Sequence, residues 1–276
     1  MSAFRTLWGA VPVWEAGSAG AREAVVFVHG VPGSGRQWLP LLEAAGKLGR
    51  AVAFDLPGFG DATVPEGFDY TSGDYAEIIG LVLDELGVRT AHLVLHDFGG
   101  PWGLTWAARN PQRLGSATLI NTGVWIDYGW NLLAAWYRTP VLGEVAMASV
   151  TYPLFAALMG FRAKRRIPEP ALRAMWADVT PRTRQAALRV YRGMQEPAAE
   201  AEVLADQLCR LKRPGLVIWG ATDWRLPLDV AERQRMAFPH ADIHVLPESG
   251  HYPHLDDPET VASLVLPFWQ EQLRSH

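Results

Sequence analysis

Residues 96–100 read His96-Asp97-Phe98-Gly99-Gly100 and follow the apolar run Ala91-His92-Leu93-Val94-Leu95. An apolar run that stops before paired glycines predicts a strand, a sharp turn and a new helix. A side chain on such a turn stands at the end of its strand, in position to act as a nucleophile. Here that side chain is a carboxylate. A carboxylate that attacks sp³ carbon makes an alkyl ester, so epoxides and alkyl halides are the electrophiles it suits. The first amides of the following helix favour its ionised form. A helix-capping aspartate ahead of two glycines looks the same in isolation, so Asp97 needs partners to count as a nucleophile.

Two partners lie downstream. His251 falls in Ser249-Gly250-His251-Tyr252-Pro253-His254, after the last predicted strand. From that loop an imidazole reaches the turn and activates the water that breaks the ester. His254, beside Asp256 and Asp257, is read instead as a structural partner at the start of the final helix; His92, His96, His240 and His244 have no comparable placement. Asp223 falls in Trp219-Gly220-Ala221-Thr222-Asp223-Trp224, directly after a strand. A carboxylate there accepts the Nδ1 proton of His251 and fixes its tautomer, although alone it is an ordinary turn aspartate. Upstream, His29-Gly30-Val31-Pro32-Gly33 follows the run Val25–Val28. The amides of Val31 and Phe98 are expected to converge on one oxygen and stabilise the tetrahedral intermediate of ester hydrolysis. An ordinary strand-to-helix loop is the alternative.

The elements that position these residues alternate. Strands are predicted at 25–28, 51–54, 91–95, 116–120, 215–219 and 242–246. Helices are predicted from Ser34 to Lys47, from Tyr75 to Leu86 behind the capping run Thr71-Ser72-Gly73-Asp74, and from Gly99 to Arg109 before Pro111. Short, continuous apolar strands between helices indicate a doubly wound α/β fold whose parallel sheet is buried on both faces. The segment from about Val124 to Gln207 breaks the alternation. It reads as helical and aromatic, and fits a lid inserted over the carboxyl edge of the sheet. Its basic run Arg162-Ala163-Lys164-Arg165-Arg166 reads as a solvated face.

A length of 276 residues suits one large domain or a core with an inserted lid, and 49% hydrophobic residues can fill a sizeable core. A formal charge of −4 gives no reason to expect nucleic acid or an anionic membrane as partner. The single cysteine, Cys209, allows no internal disulfide. Met1-Ser2-Ala3-Phe4-Arg5 lacks a signal pattern, and the apolar stretch from Leu132 to Ala157 is interrupted by Arg138, Pro140 and Glu144. A cytoplasmic protein without membrane partners is therefore expected.

Together, His29-Gly30-Val31-Pro32, Asp55-Leu56-Pro57-Gly58-Phe59-Gly60, His96-Asp97-Phe98-Gly99-Gly100, Trp219-Gly220-Ala221-Thr222-Asp223 and Gly250-His251-Tyr252-Pro253-His254 resemble the α/β-hydrolase superfamily over nearly the whole chain. The order nucleophile, acid, base is that of the superfamily, and the aspartate nucleophile resembles its epoxide hydrolase and haloalkane dehalogenase branch. The resemblance implies a mostly parallel eight-stranded sheet flanked by helices. It implies a core of residues 1–123 and 208–276, a helical cap of residues 124–207, and no cofactor or metal. It also implies a small-molecule electrophilic substrate, and a monomer or homodimer.

Dehalogenases of this branch usually carry a Trp after the nucleophile and often an Asn after His-Gly. Phe98 and Val31 stand there instead, which counts against halide release. Epoxide hydrolases of this branch usually use two lid tyrosines. Leu188-Arg189-Val190-Tyr191-Arg192-Gly193-Met194 resembles the second of these segments and assigns Tyr191. Ala135-Trp136-Tyr137-Arg138-Thr139-Pro140 resembles the first, with Trp136 in the tyrosine position and Tyr137 beside it. An indole donates a hydrogen bond but does not readily protonate an alkoxide; as a halide donor Trp136 would instead keep dehalogenation open. Trp136, Tyr191, Tyr137, His29 and Trp125 are thus the substrate-binding candidates. Trp125, Tyr128, Trp130, Tyr152, Phe155 and Trp176 are expected to wall a wide apolar pocket for a bulky or aromatic substrate. Epoxide hydrolysis to a diol is the first expectation and haloalkane dehalogenation the alternative. Defluorination, ester cleavage and a non-catalytic small-molecule receptor stand behind them.

Overall fold

The computed structural model describes residues 3–126, 129–194 and 197–274. Its strands are β1 (Ala3–Leu7), β2 (Val11–Ala16), β3 (Glu23–Val28), β4 (Arg50–Phe54), β5 (Thr90–His96), β6 (Leu114–Ile120), β7 (Gly215–Gly220) and β8 (Asp242–Leu246). They form one eight-stranded sheet in the order β1-β2-β4-β3-β5-β6-β7-β8. The pairs β1–β2 and β2–β4 are antiparallel and all others parallel. The six parallel strands are the six apolar runs of the sequence. The two antiparallel ones escaped the sequence reading, because Trp8-Gly9-Ala10 breaks a stretch too short to show periodicity.

The helices are α1 (Leu39–Ala45), α2 (Ser72–Glu85), α3 (Gly99–Arg109), α4 (Leu132–Arg138), α5 (Leu142–Ser149), α6 (Tyr152–Met159), α7 (Glu169–Ala177), α8 (Pro181–Gly193), α9 (Pro197–Leu211), α10 (Asp229–Arg233), α11 (Pro253–Asp256) and α12 (Pro258–Arg274). The helix expected from Ser34 opens as a 3₁₀ turn, Gly35–Trp38, and only then becomes α1. In α2 the cap is Thr71: its hydroxyl accepts the Asp74 N–H, and the Asp74 carboxylate accepts the Thr71 N–H, which satisfies two end amides at once.

Helices cover both faces of the sheet. Trp38 and, on α1, Leu42, with Val261, Val265 and Trp269 of α12, bury one face. Tyr75, Ile79 and Val82 of α2, with Trp102 and Trp106 of α3, bury the other. Strands β3, β4, β5, β6 and β7 are therefore dry on both faces, which explains their largely apolar sequence, whereas the edge strand β8 is mostly exposed. Between β6 and β7 the described residues form only helices, α4 to α9, and α9 continues past residue 207 to Leu211. Among the described residues no single helix is long and apolar enough to cross a membrane.

The strand order fixes where chemistry can occur. β3 lies between β4 and β5 and pairs in parallel with both. Its connection runs to one side and the next parallel strand lies on the other. The loops leaving β3 and β5 therefore diverge and open a crevice at the carboxyl edge. Those loops carry Val31 and Asp97.

Candidate active site

Asp97 ends β5 in the left-handed region, with φ of 51°. Such a backbone costs about 1–3 kcal/mol for a residue other than glycine, and aspartate tolerates it better than most. Hydrogen bonds hold it there. The Val31 N–H donates to Asp97 Oδ1 at 2.6 Å, and the Thr122 hydroxyl donates to the Asp97 carbonyl. At about 1 kcal/mol each, these contacts offset much of the strain. The Val31–Pro32 peptide in the same loop is cis.

Gly30 is required by proximity. A Cβ built on it would lie 2.4 Å from the Asp97 Cβ. The Gly30→Ala variant is expected to displace the carboxylate, lowering stability by about 1–3 kcal/mol and the alkylation rate by about 10²-fold. Denaturant titration and the rate of Asp97 modification check the two effects.

His251 lies between β8 and α11. Its Nδ1–H donates to Asp223 Oδ2 at 2.6 Å, and its Nε2 faces Asp97 Oδ2 at 3.1 Å. Asp223 follows β7 and is held on every side. Asn121 Nδ2 donates to its Oδ2 at 2.8 Å, and the N–H groups of Arg225 and Leu226 donate to its Oδ1 at 2.8 and 3.3 Å. Burial alone would raise both carboxyls. For Asp97 the hydrogen bond and charge of His251 outweigh it; for Asp223 the His251 charge does so first, and both carboxyls lie below the usual range. Burial likewise opposes the charged imidazole, but Asp223 outweighs it and His251 is raised. The structure thus brings together Asp97, His251, Asp223 and the Val31 amide. The Phe98 amide follows at the start of α3.

The neighbouring histidines differ. His96 is pushed down to about 3, by burial and then by the His251 charge. It is neutral, and its Nε2–H donates to the His251 carbonyl at 2.8 Å. His254 is buried and stacked on Trp38, with ring centroids 4.4 Å apart. Burial lowers His29 to about 4; its Nδ1–H donates to the Gly30 carbonyl and its Nε2 accepts the Leu56 N–H at 3.0 Å. Both ring nitrogens of His29 therefore brace the loop rather than face a ligand.

A cavity of about 80 Å³ lies over Val31 and Pro32, under α4, α6 and α8. It is smaller than the wide pocket expected from the aromatic residues. Of the aromatic residues expected to wall it, Phe155 does so. Trp125 packs behind it against Phe98, centroids 4.9 Å apart, with Trp130 beyond at 6.3 Å. Tyr152 and Trp176 pack against each other at 5.9 Å, and Tyr128 lies outside the described residues.

Helix register decides the tyrosine question. On α4, Leu133 and Tyr137, four apart, line the cavity. Leu132 and Trp136 lie about 100° around the helix and line an adjoining surface groove with Phe161 and Trp224, which shares Leu133 and Leu158 with the cavity. Trp136 is 46% exposed and Tyr137 only 7%. On α4 it is thus Tyr137, and not Trp136, that lines the cavity. On α8, Thr183, Ala187 and Tyr191 share the cavity face. The Tyr137 and Tyr191 rings lie 5.3 Å apart, and Tyr191 stands edge-on to Phe98 at 5.1 Å. Burial raises the Tyr137 phenol, only partly countered by the Arg225 charge.

Sequence reasoning missed two residues. Asn121 ends β6 at φ of 43° and links Asp223 to the Gly220 N–H; an Asn closing an apolar strand was the available signal, since Asn favours that conformation. Arg225 lines the cavity, and nothing in Asp223-Trp224-Arg225 marks it. Among the described residues no group of three or more His, Cys, Asp or Glu is placed to hold a metal ion.

Comparison with known proteins agrees with this architecture. A family model described as alpha/beta hydrolase fold matches residues 23–258. A 2-hydroxy-6-oxononadienedioate/2-hydroxy-6-oxononatrienedioate hydrolase of Burkholderia vietnamiensis is 28% identical over 260 residues, 89% of this chain and 86% of the relative. A haloalkane dehalogenase of Agrobacterium fabrum is 25% identical over 258 residues, 89% of this chain and 84% of the relative. The crystal structure of epoxide hydrolase VrEH1 from Vigna radiata superposes with a TM-score of 0.81 at 19% identity, covering 98% of each chain.

Proposed function

The chain belongs to the α/β-hydrolase fold family, and within it we propose an epoxide hydrolase that works through an alkyl ester on Asp97. One observation carries the choice of leaving group: two phenols, Tyr137 and Tyr191, lie side by side on the cavity over Val31 and Pro32, the loop whose Val31 N–H donates to Asp97. An opening epoxide releases an alkoxide, and a phenol can both bind it and protonate it.

In the first step an Asp97 oxygen attacks a ring carbon. The C–O bond breaks, the ester forms, and a tyrosine proton passes to the alkoxide. In the second step His251 takes a proton from water, and the hydroxide adds to the ester carbonyl. The Val31 and Phe98 amides stabilise the resulting oxyanion. Collapse expels the diol oxygen, which takes the proton from His251, and the acid left on Asp97 releases its proton, which returns through solvent to the tyrosinate, so that carboxylate and phenol are both restored. Asp223 holds the imidazole tautomer throughout. The helices over residues 124–207 would act as a cap on a core of 1–123 and 208–276, and the small cavity favours a compact substrate over a bulky one.

Halide release is the second reading. It is favoured by haloalkane dehalogenase relatives at 25% and 26% identity. It is opposed by Phe98, which has no side-chain N–H, and by the outward-facing Trp136.

Intact-protein mass measurement on the His251→Gln variant tests the choice. The first step needs no imidazole, so the ester should accumulate. An epoxide adds its whole mass, whereas a haloalkane adds its mass less that of the hydrogen halide. Adducts from epoxides, lost on Asp97→Ala, are the expected result. Adducts from haloalkanes alone would move the assignment to dehalogenation, and no adduct from either panel would favour a non-catalytic receptor.

A further inference from the structure

Arg225 is a cation placed on an otherwise largely apolar cavity. It lines the same space as Tyr137 and Tyr191, together with Leu133, Phe155 and Leu158. Among the described residues its buried Nη1 has no hydrogen-bond partner, and its Nη2 meets only the Met159 sulfur, at 3.7 Å. The guanidinium carbon lies 4.8 Å from the Trp224 ring and 6.0 Å from that of Tyr252. Ring faces steady a cation, but they supply no acceptor for its N–H groups. A guanidinium keeps its charge, and its planar fork matches a carboxylate.

The protein's own groups do not meet that demand. Asp223, two residues away, has its oxygens committed to His251, Asn121 and two backbone amides. The other cation on this cavity, Arg184, is already satisfied, because its two terminal nitrogens donate to the carbonyls of Met147 and Val150. Of the two cations, only Arg225 presents unmet donors to the space where substrate would sit.

We propose that Arg225 binds a carboxylate of the substrate, so that the cavity selects short-chain acids bearing the electrophilic carbon over their neutral counterparts. This deepens the epoxide assignment and rests on the same cavity, and it names 2,3-epoxy acids as the substrate class. A few carbons fill the apolar part of the space, the charged end pairs with the guanidinium, and the ring oxygen faces the phenols.

Binding and reaction test it separately. By calorimetry at low ionic strength, the wild-type protein should bind butanoate at least about 10-fold more tightly than butanamide. Loss of a charge-assisted pair should lower that preference about 10- to 100-fold in Arg225→Met, with part of it retained in Arg225→Lys. Equal binding of acid and amide by the wild type would overturn the proposal, even were the Met variant not to fold; so would a preference that Arg225→Met leaves intact. In the His251→Gln background, trans-2,3-epoxybutanoate should label Asp97 faster than trans-2,3-epoxybutanamide. Acid-selective binding without epoxide labelling would sustain the Arg225 assignment and defeat the epoxide one. Labelling by both epoxides at equal rates would do the reverse.

Discussion

Tyr191→Phe and Tyr137→Phe are each expected to slow epoxide opening by about 10²–10³-fold, the scale of a positioned general acid. The alkoxide leaving an epoxide is a strong base, and in a water-poor cavity it must be hydrogen-bonded or protonated as the C–O bond breaks. Each phenol supplies one donor. Burial keeps the Tyr137 proton in place through neutral pH, because it raises that group above its ordinary value. Two donors on one oxygen act as a unit, so the double variant should lose less than the product of the single losses. The rate to follow is formation of the Asp97 adduct in the His251→Gln background, which isolates the first step. Haloalkane labelling, if present, should change little, since a halide leaves without a proton. Unchanged epoxide labelling in both single variants would remove the tyrosines from the mechanism.

The contrast between Tyr137 and Trp136 shows what sequence can and cannot locate here. Asp97, Asp223 and His251 are legible because each lies in the turn beyond a strand, one, three and five residues past the ends of β5, β7 and β8, and parallel strands deliver their carboxyl ends to one edge. Turn chemistry at those ends is local, so the motifs carry it. A short helix such as α4 is different. Its orientation over the sheet is set by tertiary packing, and a one-residue change in alignment turns a side chain by about 100°. The motif places Trp136 in the tyrosine position with Tyr137 beside it; packing turns Trp136 outward and Tyr137 onto the cavity. Arg225 was invisible for a similar reason: its meaning comes from α4, α6 and α8 arriving opposite it. The cavity beside Tyr137 and Tyr191 is smaller than the aromatic count suggests, and of the residues expected to wall it Tyr152 and Trp176 pack against each other and Trp125 against Phe98.

Asp223→Asn is expected to lower kcat by about 10⁴-fold while leaving the first step largely intact, so the ester should accumulate during turnover. The size follows from the tautomer. Asp223 receives donors from His251, Asn121 and the Arg225 and Leu226 amides. An asparagine has one acceptor oxygen and must turn an NH₂ group toward a donor, most readily the imidazole. His251 then loses the partner that holds its proton on Nδ1, and its Nε2 is no longer free to take one from water. The pH profile should shift as well. In the free enzyme Asp223 raises His251 first, with Asp97 adding to it. Once Asp97 is an ester its charge is gone, so the imidazole becomes basic at lower pH. The acid limb of kcat should therefore lie below the His251 titration seen in the free enzyme, and lower again in Asp223→Asn. Stability follows the opposite signs of the shifts. His251 is raised above 6.5, so its contribution is full below that value and is lost as pH rises through the folded value. Asp223 is lowered below 3.8, so its contribution is present above that value and is lost as pH falls through the folded one. Thermal unfolding across pH should show the wild-type advantage over Asp223→Asn shrinking at both ends. An advantage constant from acid to alkaline pH would mean that the buried pair is not ionised, and a general base raised by Asp223 would have to be abandoned.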